Sequence, residues 1–273
     1  MTETKKSAET QRWYPTPFSM LRDHLVAELI GRQRPGSFLE VGIGPGGGMI
    51  ATLARLGYRG QGIDISNSAV EHARHFLPDL PDTISLTAKN FWEVQDSFDL
   101  VLALDFLEHF DDDRAVLEKF RSLTKPGGAI IFCVPAHEKK WDETDKWAGH
   151  FRRYEKQDLI KKLSDNGLKC ELIWSFGFPL LNIATRVRNY LLAQQNRQKG
   201  YFEKHDQAQR TEQSGTTALE ETKWSFFFND FWIAPFKVLQ KFFLRMDLGG
   251  SYIVKTTPKP LLHETKDIAS RGA

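Results

Sequence analysis

The chain has 273 residues, of which 41% are hydrophobic and 26% are charged, and its formal net charge is +2. This length suits one large α/β domain, or a core domain with a smaller accessory part. The near-zero charge gives no strong field that would favour a nucleic acid or another anionic partner. Cys133 and Cys170 fit no metal-binding spacing and suit a reducing compartment. Residues 1–13 lack the apolar segment of a signal peptide, so we expect a cytoplasmic protein.

Helices and strands alternate through the first half of the chain. A helix is predicted over 17–31, where Leu21, Leu25 and Leu29 are spaced by four. Five short apolar segments then predict strands: SFLEVG, QGIDIS, TISLTAK, FDLVLAL and AIIFCVP. Helices are predicted between them, and KPGG is predicted to turn the chain into the fifth strand. This alternation predicts a doubly wound α/β fold with a mostly parallel sheet.

The pattern changes after Pro135. A charged, aromatic-rich connection leads to a predicted helix at 155–166 and a sixth strand, KCELIWSFGFP. An amphipathic helix is predicted at 179–193, and SYIVKTT is predicted as the seventh and last strand. The predicted parts of the chain are a disordered N-terminal tail (1–16), a core (17–177 and 250–257), a helical insertion or lid (178–249, with a mobile loop at 194–222) and a C-terminal tail (258–273).

A glycine-rich loop follows the first predicted strand in the segment FLEVGIGPGGGM. Gly42, Gly44 and Gly47 match the G-x-G-x-x-G spacing of a dinucleotide-binding loop. Asp64 ends the second strand, where an acid can bind ribose hydroxyls. These features alone fit a dinucleotide-dependent dehydrogenase, another protein that binds an adenosine ribose, or a tight turn without a ligand.

Glu40 and Pro45 distinguish between these alternatives. Glu40 lies inside the strand, where it could meet a cation such as an α-ammonium group but would repel a pyrophosphate. Pro45 removes a backbone N–H that a phosphate cradle needs, and the loop lacks the lysine of a P-loop. The ligand is therefore predicted to be cationic where it approaches the strand.

Five segments together resemble the class I S-adenosylmethionine-dependent methyltransferases. They are EVGIGPGGG, GIDIS, KNF, FDLVLALDFLEH and LTKPGGAIIFCVP, in family order and at family spacing. A GH-x-RRY block after the fifth strand resembles a bacterial small-molecule branch of the family. The resemblance implies a Rossmann-like fold and S-adenosylmethionine as cofactor. It also implies methyl transfer to an oxygen, nitrogen or carbon of a small-molecule acceptor. Such acceptors include lipid-like molecules and secondary metabolites.

The resemblance also implies cofactor-binding roles at matching positions. Glu40, Gly42, Gly44 and Gly46 would hold the methionine part of the cofactor. Asp64 would bind the ribose, Ile65 would pack on the adenine, and Asn90 would form a hydrogen bond with the adenine amino group. Phe91 would lie beside the adenine ring, and Leu104 and Asp105 would flank the sulfonium and its methyl group. Asn90 stands where the family often has aspartate, and its amide oxygen still accepts a hydrogen bond.

Candidate catalytic residues follow the fourth and fifth strands. Methyl transfer needs an in-line geometry, the exclusion of water and sometimes a base for the proton of the nucleophile. His109, next to Glu108, is one candidate, although both also fit a structural signature of the family.

The segment GHFRRY supplies the other candidates. His150 is the predicted base, Arg153 or Arg152 is predicted to bind an anionic or carbonyl group of the substrate, and Tyr154 lies beside them. The alternative is that the arginines pair with acids such as Asp142 or Asp145 and pin the loop, while Tyr154 starts the next helix.

No metal site is predicted. His137 and Glu138 lack the second histidine of H-E-x-x-H, and His109 before Asp111 to Asp113 is better explained by a helix start.

Residues 224–246 are densely aromatic, and Lys237, Lys241 and Arg245 share one predicted helical stripe. Three roles are open for this segment: a lid over the substrate pocket, a peripheral membrane contact or a homodimer interface. The leading hypothesis for the chain is a small-molecule methyltransferase. A protein or nucleic-acid methyltransferase and a non-catalytic cofactor-binding module are the alternatives, and the near-neutral charge argues against nucleic acid.

Overall fold

The computed structural model of the protein describes residues 15–187 and 230–260. A seven-stranded sheet forms its centre, in the spatial order β3-β2-β1-β4-β5-β7-β6. The strands are β1 (Ser37–Val41), β2 (Arg59–Asp64), β3 (Ile84–Ala88), β4 (Phe98–Leu104), β5 (Thr124–Pro135), β6 (Leu168–Phe176) and β7 (Ser251–Pro258). Only β7 runs antiparallel to its neighbours β5 and β6. The predicted doubly wound, mostly parallel sheet is therefore confirmed.

The helices follow the predicted alternation. They are α1 (Pro17–Gly31), α2 (Ile50–Arg55), α3 (Asn67–Phe76), α4 (Asp113–Ser122), α5 (Glu143–Ala148), α6 (Lys156–Asp165), α7 (residues 180–187) and α8 (Asp230–Leu239). Helix α1 begins at a proline behind Thr16, whose side chain accepts a hydrogen bond from the backbone N–H of Ser19. Ser66 caps α3 and Asp112 caps α4 in the same way. Local capping chemistry thus sets where these helices start.

Two apolar layers cover the two faces of the sheet. In β1, Leu39 and Val41 belong to one layer and Phe38 to the other. Because side chains alternate along a strand, Glu40 lies on the face of Phe38, the face that α1 and α2 cover. A carboxyl group is thereby placed at the end of a buried strand.

The strand order also fixes where a ligand can bind. The chain moves outward from β1 to β2 and β3, and then returns to place β4 on the other side of β1. In open α/β sheets, the crevice at such a switch point, beyond the carboxyl ends of the strands, is the binding site. The candidate cofactor residues of β1, β2 and β4 all lie at this edge.

The structure differs from the sequence prediction in two connections. The KPGG segment is part of β5, which pairs Thr124 with Phe98 and resumes at Ala129 opposite Leu100 after an irregularity. The connection after β5 contains a short helix, α5, that was not predicted from the sequence. Asp142 and Asp145 form a reciprocal capping box at its start.

Part of the predicted organisation lies outside the described residues. This applies to residues 1–14 of the predicted tail, the predicted loop at 194–222, and residues 261–273 of the predicted C-terminal tail. Of the predicted insertion at 178–249, the described helices are α7 and α8.

Candidate active site

The glycine loop makes a tight path from β1 into α2. Gly42, Gly44, Gly47 and Gly48 have φ values of +71°, +59°, +74° and +51°, a region that favours glycine. A Cβ atom at Gly48 would lie 2.2 Å from Oε1 of Glu40. Glycine is therefore required where the loop crosses the carboxyl group.

Glu40 is a buried carboxyl group that faces a cavity. It is 1% exposed, and its two oxygens accept the backbone N–H of Met49 at 2.8 and 3.0 Å. Burial raises the pKa of Glu40 to about 8, although the hydrogen bond from Met49 opposes the shift. A cation in the cavity would favour the charged form, so the site is suited to a positively charged ligand.

Arg22 and Asp23 of α1 also line this cavity, although no sequence motif predicted a role for them. Nε of Arg22 lies 2.8 Å from Oδ1 of Asp23, and its Nη1 forms an ion pair with Asp105 at the end of β4. Asp105 has a φ of +53°, uncommon for a residue other than glycine. The only feature of the sequence that could have indicated a role for Arg22 is its position next to Leu21, on the apolar face of α1. The ion pair joins α1 to the cofactor edge of the sheet.

Asp64 ends β2 and Ile65 follows it at the same edge. Oδ2 of Asp64 accepts the N–H of Gly44, and Oδ1 accepts the N–H of Ser66, both at 2.9 Å. Ile65 is 77% exposed. Asp64 thus fixes the glycine loop, and an apolar side chain remains uncovered beside it.

Asn90 and Phe91 make contacts within the protein. Oδ1 of Asn90 accepts the N–H of Trp92 at 3.1 Å and caps a short 3₁₀ turn. The ring of Phe91 is buried in the core against Phe106 and Phe120, with centroids 5.4 Å apart in each case. The exposed ring beside it is that of Trp92, and the adenine contacts of Asn90 and Phe91 stay predictions.

A cavity of about 320 Å³ joins these elements at the ends of β1 and β4. Its wall comes from α1, the glycine loop, the end of β4 and the segment around α5. The predicted residues among its lining are Glu40, Gly42, Gly44, Gly46, Leu104, Asp105, His109 and His150.

His109 and His150 meet at one end of the cavity although they are far apart in sequence. The N–H of Phe151 donates to the carbonyl of Glu108 at 2.8 Å and holds GHFRRY against the end of β4. Nδ1 of His150 lies 2.9 Å from Oδ1 of Asp145, a buried carboxylate, and Nε2 lies 3.9 Å from Oε1 of Glu108. This orientation leaves Nε2 of His150 on the side of Glu108.

Arg153 and Tyr154 are not among the residues that line the cavity, and each contacts a buried acid of the protein instead. Nε and Nη2 of Arg153 both lie 2.8 Å from Oδ2 of Asp145. The hydroxyl of Tyr154 is buried and donates to Oδ2 of Asp113 at 3.0 Å. The alternative prediction that Arg153 pins the loop is confirmed, although Tyr154 precedes α6 and pairs with Ala136 in an isolated β-bridge.

Arg152 also makes structural contacts. Its Nη2 lies 3.2 Å from Oδ1 of Asp111, and its Nη1 lies 3.3 Å from Oδ2 of Asp113.

Helix α8 packs on α1 and contributes no residue to the described wall of the cavity. Ile233 joins Met20 and Leu21 in a small apolar cluster, and Nζ of Lys241 lies 2.7 Å from Oε2 of Glu28. The helix ends at Leu239, and Lys241 falls in a following 3₁₀ turn. The predicted continuous basic stripe is therefore wrong.

The fold and the site define a class of protein, the class I S-adenosylmethionine-dependent methyltransferases. A family model described as "Methyltransferase domain" matches residues 17–173, more than half of the chain. The chain belongs to this family.

Comparisons with individual proteins are more distant. A ubiquinone biosynthesis O-methyltransferase from Alkalilimnicola ehrlichii is 34% identical over 119 residues, which are 42% of this chain and 47% of the relative. Phosphoethanolamine N-methyltransferase 2 from Caenorhabditis elegans is 24% identical over 221 residues, 74% of this chain and 49% of the relative. The chain thus spans about half the length of these curated relatives.

A solved structure shares the fold over most of the chain. It is assigned as a sarcosine dimethylglycine methyltransferase from Galdieria sulphuraria, with a TM-score of 0.54 and 15% identity. The match covers 87% of this chain and 84% of the chain of that structure. At this identity the likeness concerns the fold alone.

Proposed function

We propose that the protein transfers a methyl group from S-adenosylmethionine to an oxygen of a small-molecule acceptor. The observation that carries this proposal is the buried carboxyl group of Glu40, which faces a cavity at the switch point of a methyltransferase fold. Ionisation of a buried carboxyl group is costly, and a positively charged ligand in the cavity would offset that cost.

The residues at this edge fit the cofactor. Glu40 and the glycine loop suit an α-ammonium group, and Arg22, which lines the same cavity, suits the adjacent carboxylate. Asp64 retains acceptor capacity for a ribose diol, and the exposed side chain of Ile65 offers an apolar surface for a flat ring. These positions follow the order of the cofactor from its amino acid to its base.

The bound cofactor supplies a methyl group on a positively charged sulfur. Leu104 and Asp105, at the end of β4, lie where that centre would face the acceptor side of the cavity. His109 and His150 form that side, and the ring of His150 is held by Asp145. The chain thereby sets the in-line arrangement and screens it with α1 and the segment around α5.

An oxygen nucleophile is favoured by the acceptor side and by the relatives. Two histidines and the carboxyl group of Glu108 suit the loss of a hydroxyl proton. Several curated relatives are ubiquinone biosynthesis O-methyltransferases. A nitrogen acceptor is the second candidate, because the phosphoethanolamine N-methyltransferase aligns with a larger share of this chain.

We further propose that the outer surface of α8 and the turn behind it docks on a lipid membrane. Phe231, Trp232, Phe242 and Met246 are 77%, 47%, 73% and 58% exposed. Aromatic side chains on the surface of one helical segment are typical of interfacial anchoring. No helix in residues 15–187 and 230–260 is long and apolar enough to cross a bilayer, which leaves peripheral contact as the mode proposed.

Calorimetry with S-adenosylhomocysteine tests the proposed activity first. We expect one binding site per chain, and an Asp64→Ala variant with weaker binding. Incubation with radiolabelled S-adenosylmethionine and a panel of phenolic, catecholic and amine acceptors then tests the transfer. Absence of cofactor binding to the wild type would rule out the proposal, and label transferred only to amines would replace oxygen by nitrogen. Label transferred only to protein or nucleic acid would exclude a small-molecule acceptor.

A further inference from the structure

Glu108, His109 and His150 form a compact cluster at the acceptor end of the cavity. One potential ligand atom from each residue lies within 4.8 Å of those of the other two. The rings of His109 and His150 meet edge to face with centroids 5.0 Å apart. Two histidines and one carboxylate are a donor set found in catalytic zinc sites and in mononuclear iron sites with open positions.

Two buried atoms of this cluster lack a partner. Oε2 of Glu108 and Nδ1 of His109 have no hydrogen-bond partner within the described part of the chain, and Glu108 is only 1% exposed. Buried polar atoms are almost always satisfied in native proteins. A ligand that accepts lone pairs from both atoms would account for them.

Asp145 supplies the outer support that metal-binding histidines usually have. Its Oδ1 is 2.9 Å from Nδ1 of His150, and its Oδ2 is held by Arg153. A carboxylate bonded to one nitrogen directs the lone pair of the other nitrogen to the metal. The pinned loop around α5 thus presents Nε2 of His150 to Glu108.

We propose that Glu108, His109 and His150 bind one divalent transition-metal ion of the zinc type, whose open position takes the acceptor oxygen. Ligand atoms about 2.0–2.2 Å from a tetrahedral ion lie roughly 3.4 Å apart. The three side chains would have to approach one another on binding, since their ligand atoms lie within 4.8 Å of one another in the ligand-free protein.

The role of the ion in catalysis rests on the proposed function. A coordinated hydroxyl loses its proton more readily, and the proton passes to water in the cavity. The oxygen then forms a bond to the methyl carbon, while the carbon–sulfur bond breaks and leaves its electron pair on sulfur. If Nε2 of His150 binds the metal ion, His150 cannot also be the base that was predicted from the sequence, because the same lone pair would have to bind both the ion and the proton.

Metal titration of the tag-free, full-length protein tests the inference. After treatment with a chelator, the protein is titrated with Co²⁺ by visible absorption and with Zn²⁺ against a chromophoric chelator. We expect one ion per chain, and Glu108→Gln and His150→Gln variants whose affinity is lower by about tenfold or more. His72→Gln, at an exposed histidine of α3, is the matched control and should bind as the wild type does.

S-adenosylhomocysteine calorimetry on every variant separates the two proposals. Retained cofactor binding together with equal Co²⁺ affinity in the wild type and Glu108→Gln would overturn the metal site alone. Loss of cofactor binding in the wild type would instead overturn the proposed function, whatever the metal titration shows.

Discussion

Gly48 shows how one missing side chain shapes the cofactor loop. We expect Gly48→Ala to weaken S-adenosylhomocysteine binding by about tenfold or more, since the new Cβ would collide with the carboxyl group of Glu40. The backbone also disfavours alanine at a φ of +51°, by about 1–2 kcal/mol. Isothermal calorimetry and thermal unfolding measure the two effects.

Gly57→Ala is the control for this prediction. Gly57 has a φ of +80°, but a Cβ atom added there would meet no atom within 4 Å beyond its chain neighbours. This variant should therefore lose stability and retain cofactor affinity. Equal affinity in both variants would contradict a role for Gly48 in the cradle.

Glu40 should couple cofactor binding to proton release. Its pKa of about 8 keeps the ligand-free carboxyl group protonated at neutral pH, whereas a bound ammonium group favours the ionised form. We expect affinity for S-adenosylhomocysteine to rise between about pH 6 and 8, and the binding heat at pH 7 to vary with the ionisation enthalpy of the buffer. Glu40→Gln should bind more weakly and show neither effect; buffer-independent heat in the wild type would refute this.

The same carboxyl group affects stability with the opposite pH trend. Its pKa in the folded protein lies above the unfolded value of 4.5, so the folded state binds the extra proton between these values. The ligand-free protein therefore loses stability as pH rises from about 4.5 to 8 through this group. Bound cofactor should reduce that loss.

At the scale of elements, Arg153 stabilises the segment that connects β5 to α6. It holds the buried Asp145, which in turn caps α5 and orients His150. We expect Arg153→Gln to lower the free energy of unfolding by about 3 kcal/mol, the cost typical of breaking a buried pair. Hydrogen exchange should increase in residues 142–154 while S-adenosylhomocysteine affinity stays near that of the wild type.

Arg152→Gln is the comparison for this element. One partner of Arg152, Asp111, is 84% exposed at its side chain, so that contact contributes little. Its second partner is the buried Asp113, which Lys162 also contacts at 2.6 Å. We expect a smaller stability loss than in Arg153→Gln. Unchanged exchange in Arg153→Gln would mean that the loop does not depend on this pair.

At the scale of the whole molecule, the exposed aromatic surface of α8 predicts binding to lipid vesicles. Phe231→Glu and Phe242→Glu should each weaken co-sedimentation with anionic vesicles by about tenfold or more, since burial of one such side chain contributes about 1.5–3 kcal/mol. Trp92→Glu, which alters an exposed aromatic residue at the β3 end of the sheet, should bind vesicles normally. Sedimentation of all three variants like the wild type would exclude docking through α8.

The sequence predicted the fold and the path of the glycine loop well because their signals are local. Strand periodicity, capping residues and the glycines at 42–48 act over a few neighbouring residues. Glu40 lies one residue before the end of β1, and Asp64 ends the adjacent β2. The acceptor end could not be predicted in this way. Whether Arg153 faces a substrate or Asp145 depends on how the chain folds between β5 and α6. The sequence GHFRRY is compatible with both arrangements and therefore could not distinguish them.

Long-range contacts explain the remaining differences. Arg22 and Asp105 are far apart in sequence and form an ion pair because α1 packs beside the end of β4. In the same way, the ring of His109 contacts the ring of His150 because the segment around α5 packs against the end of β4. The ring of Phe91 packs in the core between β4 and α4, a contact that its place in the sequence does not reveal. Sequence spacing cannot rank such competing partners.

Helix α1 contacts the cofactor cavity on one side and α8 on the other. Arg22 reaches Asp105, while the carbonyl of Leu21, one residue earlier, accepts a hydrogen bond from Nε2 of Gln240 at 3.2 Å. If α1 shifts to admit the cofactor, the surface carried by α8 shifts as well. Thermodynamic reciprocity then requires that vesicles change cofactor affinity by the same factor by which the cofactor changes vesicle affinity. Such an enzyme would sense, before turnover, whether it is in contact with the lipid.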